Sequence, residues 1–272
     1  MFGSLANVGM TQGVNVLLNM FFGTAVNAAR GFAVQIESCV SGFVSNFQTA
    51  INPQIIKNYA SGSMERMHEL IYSSGRYSFY LLLMIILPLI QKAEYVVTLW
   101  LKTPPEHTAS FARIILLTAL LNTMSGAVNI ASQATGKVRK VQVTVGSVLL
   151  AIVPLGYLAL KLGVKAEAVF IVTLVVTAIA QIVRLWIVCP MIGMRKRDYA
   201  RRVYLPVAKV FIPSAAASAA IGLLFPKDNF AALALTVLCC VAATAFFIYT
   251  LGTGADERNF LKSKVSAVFR KK

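Results

Sequence analysis

Long apolar runs, separated by short polar or basic segments, dominate the pattern of the chain. Three of these runs, residues 114–136, 141–160 and 229–255, contain no charged side chain. Each reaches the length of about 20 residues that a helix needs to cross about 30 Å of hydrocarbon. Because backbone polar groups in lipid must bond within their own segment, these runs predict transmembrane helices.

Over the whole chain, the pattern predicts about eight such helices. They cover approximately residues 2–22, 24–52, 74–91, 109–135, 141–160, 168–188, 205–225 and 229–251. Residues 54–75, between the second and third spans, are polar and amphipathic, and Pro154 predicts a kink in the fifth span. The predicted fold class is therefore an all-α, polytopic transmembrane helical bundle.

Three of the predicted spans carry rows of polar side chains, whereas the other five are almost wholly apolar. The rows are Ser4, Asn7, Thr11, Asn15 and Asn19 in the first span, Arg30, Glu37, Ser41, Ser45, Gln48 and Asn52 in the second, and Thr118, Asn122, Ser125, Asn129 and Ser132 in the fourth. Their helical spacing puts each row on one face. Lipid cannot solvate such faces, so they must meet each other, a missing partner or a water-filled cavity. Packing between helices through small and amide side chains is the alternative interpretation.

Arg30 and Glu37 are the most informative residues in these rows. An ionised side chain inside the membrane costs at least about 2.5–3.5 kcal/mol on insertion scales, so it is usually paired, hydrated or functional. The two residues lie about 10 Å apart along one helical face. One interpretation is a structural ion pair, and the other is anion capture by Arg30 with cation or proton coupling by Glu37. The remaining charges within spans, Arg113 and Arg184, lie close to span ends, where snorkelling to the interface explains them.

We select eight residues from the polar rows as candidates for a substrate path. They are Arg30, Glu37, Asn7, Asn15, Asn19, Gln48, Asn122 and Asn129.

Composition strengthens the membrane interpretation. Apolar residues make up 57% of the chain and charged residues 13%, compared with about 25% charged residues in soluble domains. A soluble helical bundle would need a charged outer face on nearly every helix, and such faces are missing here.

The net charge of +16 could indicate nucleic-acid binding. The cations lie in short loops and in the C-terminal tail, however, which favours contacts with anionic lipid headgroups over nucleic acid. Most of the 26 lysines and arginines fall in alternate loops. The positive-inside rule therefore predicts an even number of spans in the cell inner membrane, with both termini in the cytoplasm.

No recognisable catalytic motif is present. The chain has no paired-carboxylate motif, HExxH, Walker A or GxSxG sequence. Its four cysteines lie in or beside apolar segments without metal-ligand spacing, and the two histidines are far apart in sequence. We therefore expect a non-enzymatic protein with no catalytic residues, no metal site and no cofactor.

Several short stretches resemble a known family of transporters. They read GVNVLLN at residues 13–19, VNAARG at 26–31, FQTAINPQIIK at 47–57 and ASQATGK at 131–137. These stretches resemble the polysaccharide biosynthesis exporters of the multidrug/oligosaccharidyl-lipid/polysaccharide (MOP) superfamily, the Wzx-like O-antigen and lipopolysaccharide flippases. The resemblance extends over about the first 200 residues.

The resemblance implies a domain organisation. Such exporters have two similar six-helix lobes, and this chain is similar to the second lobe with two extra C-terminal helices. The implied units are a six-helix lobe at 1–204, two additional helices at 205–251 and a basic cytoplasmic tail at 252–272. Because the chain enters an apolar run directly at Met1, we expect a half or truncated transporter that needs a complementary N-terminal lobe or a homodimer partner.

The resemblance also implies a function: flipping of undecaprenyl-diphosphate-linked oligosaccharide between membrane leaflets by alternating access. Arg30 lies in the VNAARG stretch and suits a diphosphate, because guanidinium binds phosphate oxygens in a bidentate way. One alternative is a drug or cation antiporter lobe of the same superfamily, similar to the MATE transporters, in which more intramembrane carboxylates are expected. The other is a non-transporting fragment or assembly subunit.

Overall fold

A computed structural model describes residues 2–226 and 229–254, and these residues are predominantly helical. The helices are α1 (Phe2–Ala60), α2 (Met64–Gln91), α3 (Ala93–Leu101), α4 (Thr108–Thr123), α5 (Gly126–Ala134), α6 (Val138–Leu150), α7 (Ile152–Lys161), α8 (Glu167–Met191), α9 (Lys196–Tyr199), α10 (Leu205–Leu224) and α11 (Phe230–Phe247). Two π-helical turns, Ala200–Tyr204 and Ile248–Gly252, precede α10 and follow α11. The all-α prediction is thereby confirmed for the described residues.

The long helix α1 consists of two helices that meet at Gly23. The φ and ψ angles of Gly23 are 80° and −177°, a conformation that side chains with a Cβ rarely adopt. The break therefore needs glycine, and it falls between the predicted spans at 2–22 and 24–52.

The number of membrane spans differs from the prediction. Among the described residues, five helical segments are long and apolar enough to cross a membrane, or six if α4 and α5 form one bent span. The predicted count of about eight is therefore not confirmed. The first two predicted spans both lie in α1, and α1 is not among these segments because its polar rows reduce its apolar character.

The other six predicted spans correspond to these segments. They are Met64–Gln91, the bent pair α4 and α5, Val138–Lys161, Glu167–Met191, Lys196–Leu224 and Phe230–Gly252. The bent pair turns by 41° at Met124 and Ser125, a break that the sequence pattern did not predict. In the fifth predicted span the helix is interrupted at Ala151, one turn before Pro154, because proline has no amide hydrogen to donate to the preceding turn.

Two apolar clusters hold the helices together. The larger centres on α2, where Leu82, Leu83 and Ile86 are fully buried. The smaller joins the first half of α1 to α4, α7 and α8, and it includes Leu18 and Phe111. Because both clusters leave the polar rows of α1, α4 and α5 outside the core, a polar space remains between these helices.

The C-terminal helices pack on the side of the bundle. Both α10 and α11 contact α2 and each other, and large apolar side chains such as Leu223, Leu224 and Phe230 cover their outer surfaces. Such surfaces suit a hydrocarbon environment. The predicted basic tail, residues 252–272, lies beyond the described residues except for its first three positions.

Candidate functional site

A polar cavity of about 560 Å³ lies between the first part of α1, the bent pair, α6 and α8. Its volume falls within the range of small-molecule sites, about 300–1,000 Å³. The helices approach closely beside it because Gly13 packs against α7, where a Cβ would lie 2.5 Å from Val153. The polar lining consists of Asn7, Thr118, Asn122, Asn129, Ser132, Gln133, Gln142, Thr173, Thr177 and Arg184.

A second cavity, of about 200 Å³, contains the two ionisable candidates Arg30 and Glu37 in its wall. Thr118, Asn122 and Thr173 line both cavities. The two spaces therefore adjoin, and together they form a polar path with Arg30 and Glu37 towards one end. We call this combined space the polar path.

Arg30 reaches across the break in α1. Its guanidinium group donates a hydrogen bond to Oδ1 of Asn15 and another, at 3.4 Å, to the Thr11 carbonyl. Asn15 in turn donates to Oε1 of Gln12 at 3.0 Å. The arginine is thus oriented by neutral acceptors, which leave its positive charge available to an anion in the polar path.

Glu37 is bonded within its own helix rather than to Arg30. Its Oε1 accepts a hydrogen bond from the Ser41 hydroxyl at 2.7 Å. Both Arg30 and Glu37 belong to the described residues, and the ion pairs found among those residues do not join them. The interpretation of the two as a structural ion pair is therefore wrong for this structure.

The three candidates Asn7, Asn122 and Asn129 line the larger cavity. Asn122 is the most central of them, because it also lines the smaller cavity and accepts a hydrogen bond from Nε2 of Gln181 at 3.0 Å. The polar rows of α1 and of the bent pair therefore do face a shared space, as one of the two sequence interpretations expected.

The candidates Asn15, Gln48 and Asn19 are not among the described residues that line either cavity. Gln48 donates to the Ser78 hydroxyl at 3.0 Å and to the Thr123 carbonyl at 2.9 Å. It therefore fastens α1 to α2 and α4, which is the helix-packing role that was the alternative interpretation of these rows. Asn19 is exposed on α1.

Sequence reasoning missed a fourth polar row, on α8. Thr173, Thr177, Gln181 and Arg184 follow one another at intervals of three or four residues, and all but Gln181 line the larger cavity. We predicted an almost wholly apolar span at 168–188 because valine and isoleucine dominate the mean hydropathy of this segment. The helical spacing of these four positions was the signal that could have revealed the row.

The structure gives protein contacts to the two arginines that were interpreted as snorkelling residues. The Nη1 atom of Arg184 donates to Oε1 of Gln181 at 2.7 Å, and the side chain lies in the wall of the larger cavity. Arg113 donates to Glu94 at 3.2 Å and to the Ile90 carbonyl at 3.1 Å. Both arginines therefore have defined protein contacts, and Arg184 becomes a candidate of the site.

Three helices hold the break in the bent pair. Gln48 of α1 binds the Thr123 carbonyl, and the buried Tyr199 hydroxyl of α9 donates to the Met124 carbonyl at 2.6 Å. Gln181 of α8 binds the Asn122 side chain just before the break. The bonds from Gln48 and Tyr199 satisfy backbone carbonyl groups that the interrupted helix leaves without their usual N–H partners.

The chemistry available in the polar path is that of neutral amides and hydroxyls with two guanidinium groups and one carboxylate. In the part of the chain that the structure describes, no group of three or more His, Cys, Asp or Glu side chains is placed to hold a metal ion. The path is thus suited to a polar, anionic molecule that is bound by hydrogen bonds and by charge.

Comparison of the chain with protein-family models, with curated proteins and with solved structures found no match. The resemblance to polysaccharide exporters therefore stays a prediction.

Proposed function

We propose that the protein is one lobe of a flippase that moves a lipid-linked oligosaccharide diphosphate across the cell inner membrane during surface polysaccharide or lipopolysaccharide biosynthesis. The observation that carries this proposal is the polar path, whose wall, among the residues that the structure describes, has Arg30, Arg184 and a single carboxylate, that of Glu37. A diphosphate headgroup needs cationic donors, and sugars need amides and hydroxyls. In the proposed mechanism the lipid tail stays in the bilayer while the headgroup uses the path.

A second lobe is part of the proposal, because one face of α1 remains polar and uncovered. Gln35, Ser38, Ser45 and Thr49 recur at helical spacing and are exposed. Lipid does not solvate such a face, so a partner protein or water is expected there. A complementary N-terminal lobe or a second copy of this chain would cover it and enclose the headgroup.

The basic residues at one end of the path support an orientation for the proposed flippase. The larger cavity begins at Asn7, Gln133 and Val138, beside the basic residues Lys137 and Arg139. We propose, by the positive-inside rule, that this end faces the cytoplasm together with both termini. The headgroup would then enter there and leave towards Arg30.

An antiporter lobe for cationic drugs is the second candidate. Glu37 could couple it to protons or cations, but a path with two arginines repels a cationic substrate. The charge of the path therefore favours the flippase. A non-transporting fragment or assembly subunit is the third candidate, and it predicts no transport with any partner lobe.

Complementation tests the proposal. A host without its own O-antigen flippase would express the chain alone and with a matching first lobe, and surface polysaccharide would be blotted. Arg30→Ala is the test variant, and Arg113→Ala is the control, because Arg113 pairs with Glu94 and lines neither cavity. Restoration that Arg30→Ala abolishes and Arg113→Ala preserves, at equal membrane levels, supports the flippase. Failure with every partner lobe, despite normal insertion, contradicts it.

A further inference from the structure

Arg184 is the one ionisable side chain among the described residues that line the larger cavity. Ion pairs among the described residues do not include it. A guanidinium group without a carboxylate beside it is uncommon inside a transmembrane bundle, because the charge keeps neither full hydration nor a counter-charge.

The hydrogen bonds of Arg184 leave most of its donors free. A guanidinium group carries five N–H donors, and the hydrogen bond to Gln181 uses Nη1 alone. The Nε atom is buried and has no hydrogen-bond partner. Because the side chain lies in the cavity wall, the Nη donors that Gln181 does not use are the ones available to an acceptor that arrives through the cavity.

The orientation of Arg184 depends on a short relay. Gln181 accepts from Arg184 through Oε1 and donates through Nε2 to Asn122. Asn122 lines both cavities and lies two residues before the break in the bent pair. The relay therefore joins the guanidinium to the point where the two cavities meet.

We propose that Arg184 forms a second anion-binding site in the polar path, which takes a phosphate or diphosphate group before that group reaches Arg30. Gln181 is its positioning residue, since it orients the guanidinium and links it to Asn122. The inference deepens the proposed function and rests on it for the identity of the substrate. Phosphate chemistry is common to a lipid-linked diphosphate and to free pyrophosphate, so the experiment includes both.

The test is calorimetric titration of the full-length protein in nanodiscs of neutral phosphatidylcholine. Inorganic pyrophosphate is one probe, and its binding is measured by the titration. Polyprenyl diphosphate placed in the nanodisc is the other probe, and its binding is measured by its co-purification with the protein. Arg184→Gln should weaken binding about 10-fold or more, because it removes a charge-assisted bidentate contact. Arg184→Lys should give an intermediate loss, since it keeps the charge without the planar fork.

Two further variants separate positioning from general electrostatics. Gln181→Leu should weaken binding about threefold and reduce the difference between arginine and lysine at residue 184, because the orienting bond is lost. Arg113→Gln removes the same charge outside both cavities and should leave binding unchanged. Elution in size-exclusion chromatography and thermal unfolding would check that each variant is folded.

Binding of either probe that depends on Arg184 and not on Arg113 supports the site. Dependence with the lipid alone assigns the source to a lipid headgroup, and equal dependence with pyrophosphate assigns it to the phosphate group itself. The proposal is overturned if neither probe distinguishes Arg184→Gln from wild type, or if Arg113→Gln weakens binding equally.

These outcomes are separable from those of complementation. Arg184-dependent binding without restored polysaccharide would keep the anion site and reject the flippase lobe. Restored polysaccharide that needs Arg30, together with probe binding indifferent to Arg184, would keep the flippase and reject the second site.

Discussion

The polar rows around the cavities and the polar row of α11 use similar residues in opposite ways. In α11, Thr236, Cys240 and Thr244 recur every four residues and are buried by packing. The Thr244 hydroxyl returns a hydrogen bond to the Cys240 carbonyl of its own helix at 2.7 Å. Around the cavities, by contrast, Asn7 and Asn122 remain exposed to open space. A polar row therefore indicates either packing or a path, and the residue on the facing helix decides which.

The helices α2 and α11 also differ in how much of each is buried. The most apolar part of α2 is 61% buried, whereas that of α11 is 22% buried. α2 lies in the core of the bundle. α11 packs through the narrow row of Thr236, Cys240 and Thr244, which we call the seam, and its other surfaces suit contact with lipid. Small residues in such a seam let helices approach closely.

The largest effect on the free energy of unfolding is expected from a new charge in the seam, and a new charge in the cavity is its comparison. Thr236→Lys should lower the free energy of unfolding by about 3 kcal/mol or more, because an unpaired ammonium would be forced into a packed contact. Asn7→Lys should change it by less than about 1 kcal/mol, since that side chain faces the cavity. Membrane protein levels and thermal unfolding measure both, and equal losses would remove the distinction between seam and cavity.

A smaller loss of stability is expected from a substitution at Gly126, which tests the packing role of Gln48. A Cβ at Gly126 would lie 2.3 Å from Oε1 of Gln48. Gly126→Ala should displace the Gln48 amide. Because Gln48 then loses its two hydrogen bonds, the free energy of unfolding should fall by about 1–2 kcal/mol. In a Gln48→Ala background the same substitution should cost clearly less, as measured by a double-mutant cycle of thermal unfolding. Additive losses would show that Gln48 does not mediate the effect.

The Tyr199 hydroxyl tests how firmly the break in the bent pair is held. Tyr199→Phe removes the donor to the Met124 carbonyl and should cost about 1–1.5 kcal/mol, because the carbonyl stays buried. Tyr157→Phe, at an exposed ring that contacts Phe21, is the matched comparison and should cost less. Equal stability of wild type and Tyr199→Phe would mean that the carbonyl finds another donor.

The smallest effect is expected at Asn19, an exposed candidate that lines neither cavity. Asn19→Ala should leave surface polysaccharide in the complementation assay within about twofold of wild type, because exposed substitutions usually change little. Asn122→Ala should reduce it more strongly, since it removes a wall residue and the Gln181 partner. If Asn19→Ala were the more damaging change, the assignment of the path would be wrong.

The sequence was most informative where a polar row was strong enough to lower the apolar character of its helix. The rows that contain Asn7 and Asn122 were therefore predicted, and so was the boundary at Gly23. The row on α8 was missed because the valine and isoleucine residues between its members kept the mean hydropathy of the helix high. Gln48 and Asn122 could not be told apart in advance, since both are amides on a polar face and only the neighbouring helices determine what each contacts.

The break at Met124 and Ser125 was also beyond the pattern. Neither residue excludes a helix, and the turn of 41° is stabilised by bonds from α1 and α9. These partners lie 75 positions away from the break in both directions of the chain. Local sequence contains no signal of such long-range support.

The glycine break has a mechanical consequence for α1. From Thr24 to Ala60 the helix runs about 55 Å at 1.5 Å per residue, which exceeds the hydrocarbon thickness by about 25 Å. A tilt of about 10° centred on Gly23 would displace the far end by about 10 Å. Because Gln48 fastens this segment to α2 and α4, it would act as a lever arm that moves these helices together with its tip at residues 61–63 when α1 tilts at Gly23. Spin labels placed at that tip and on α8 would convert such movements into measurable distances, and unchanged distances with and without pyrophosphate would show that the lever stays still.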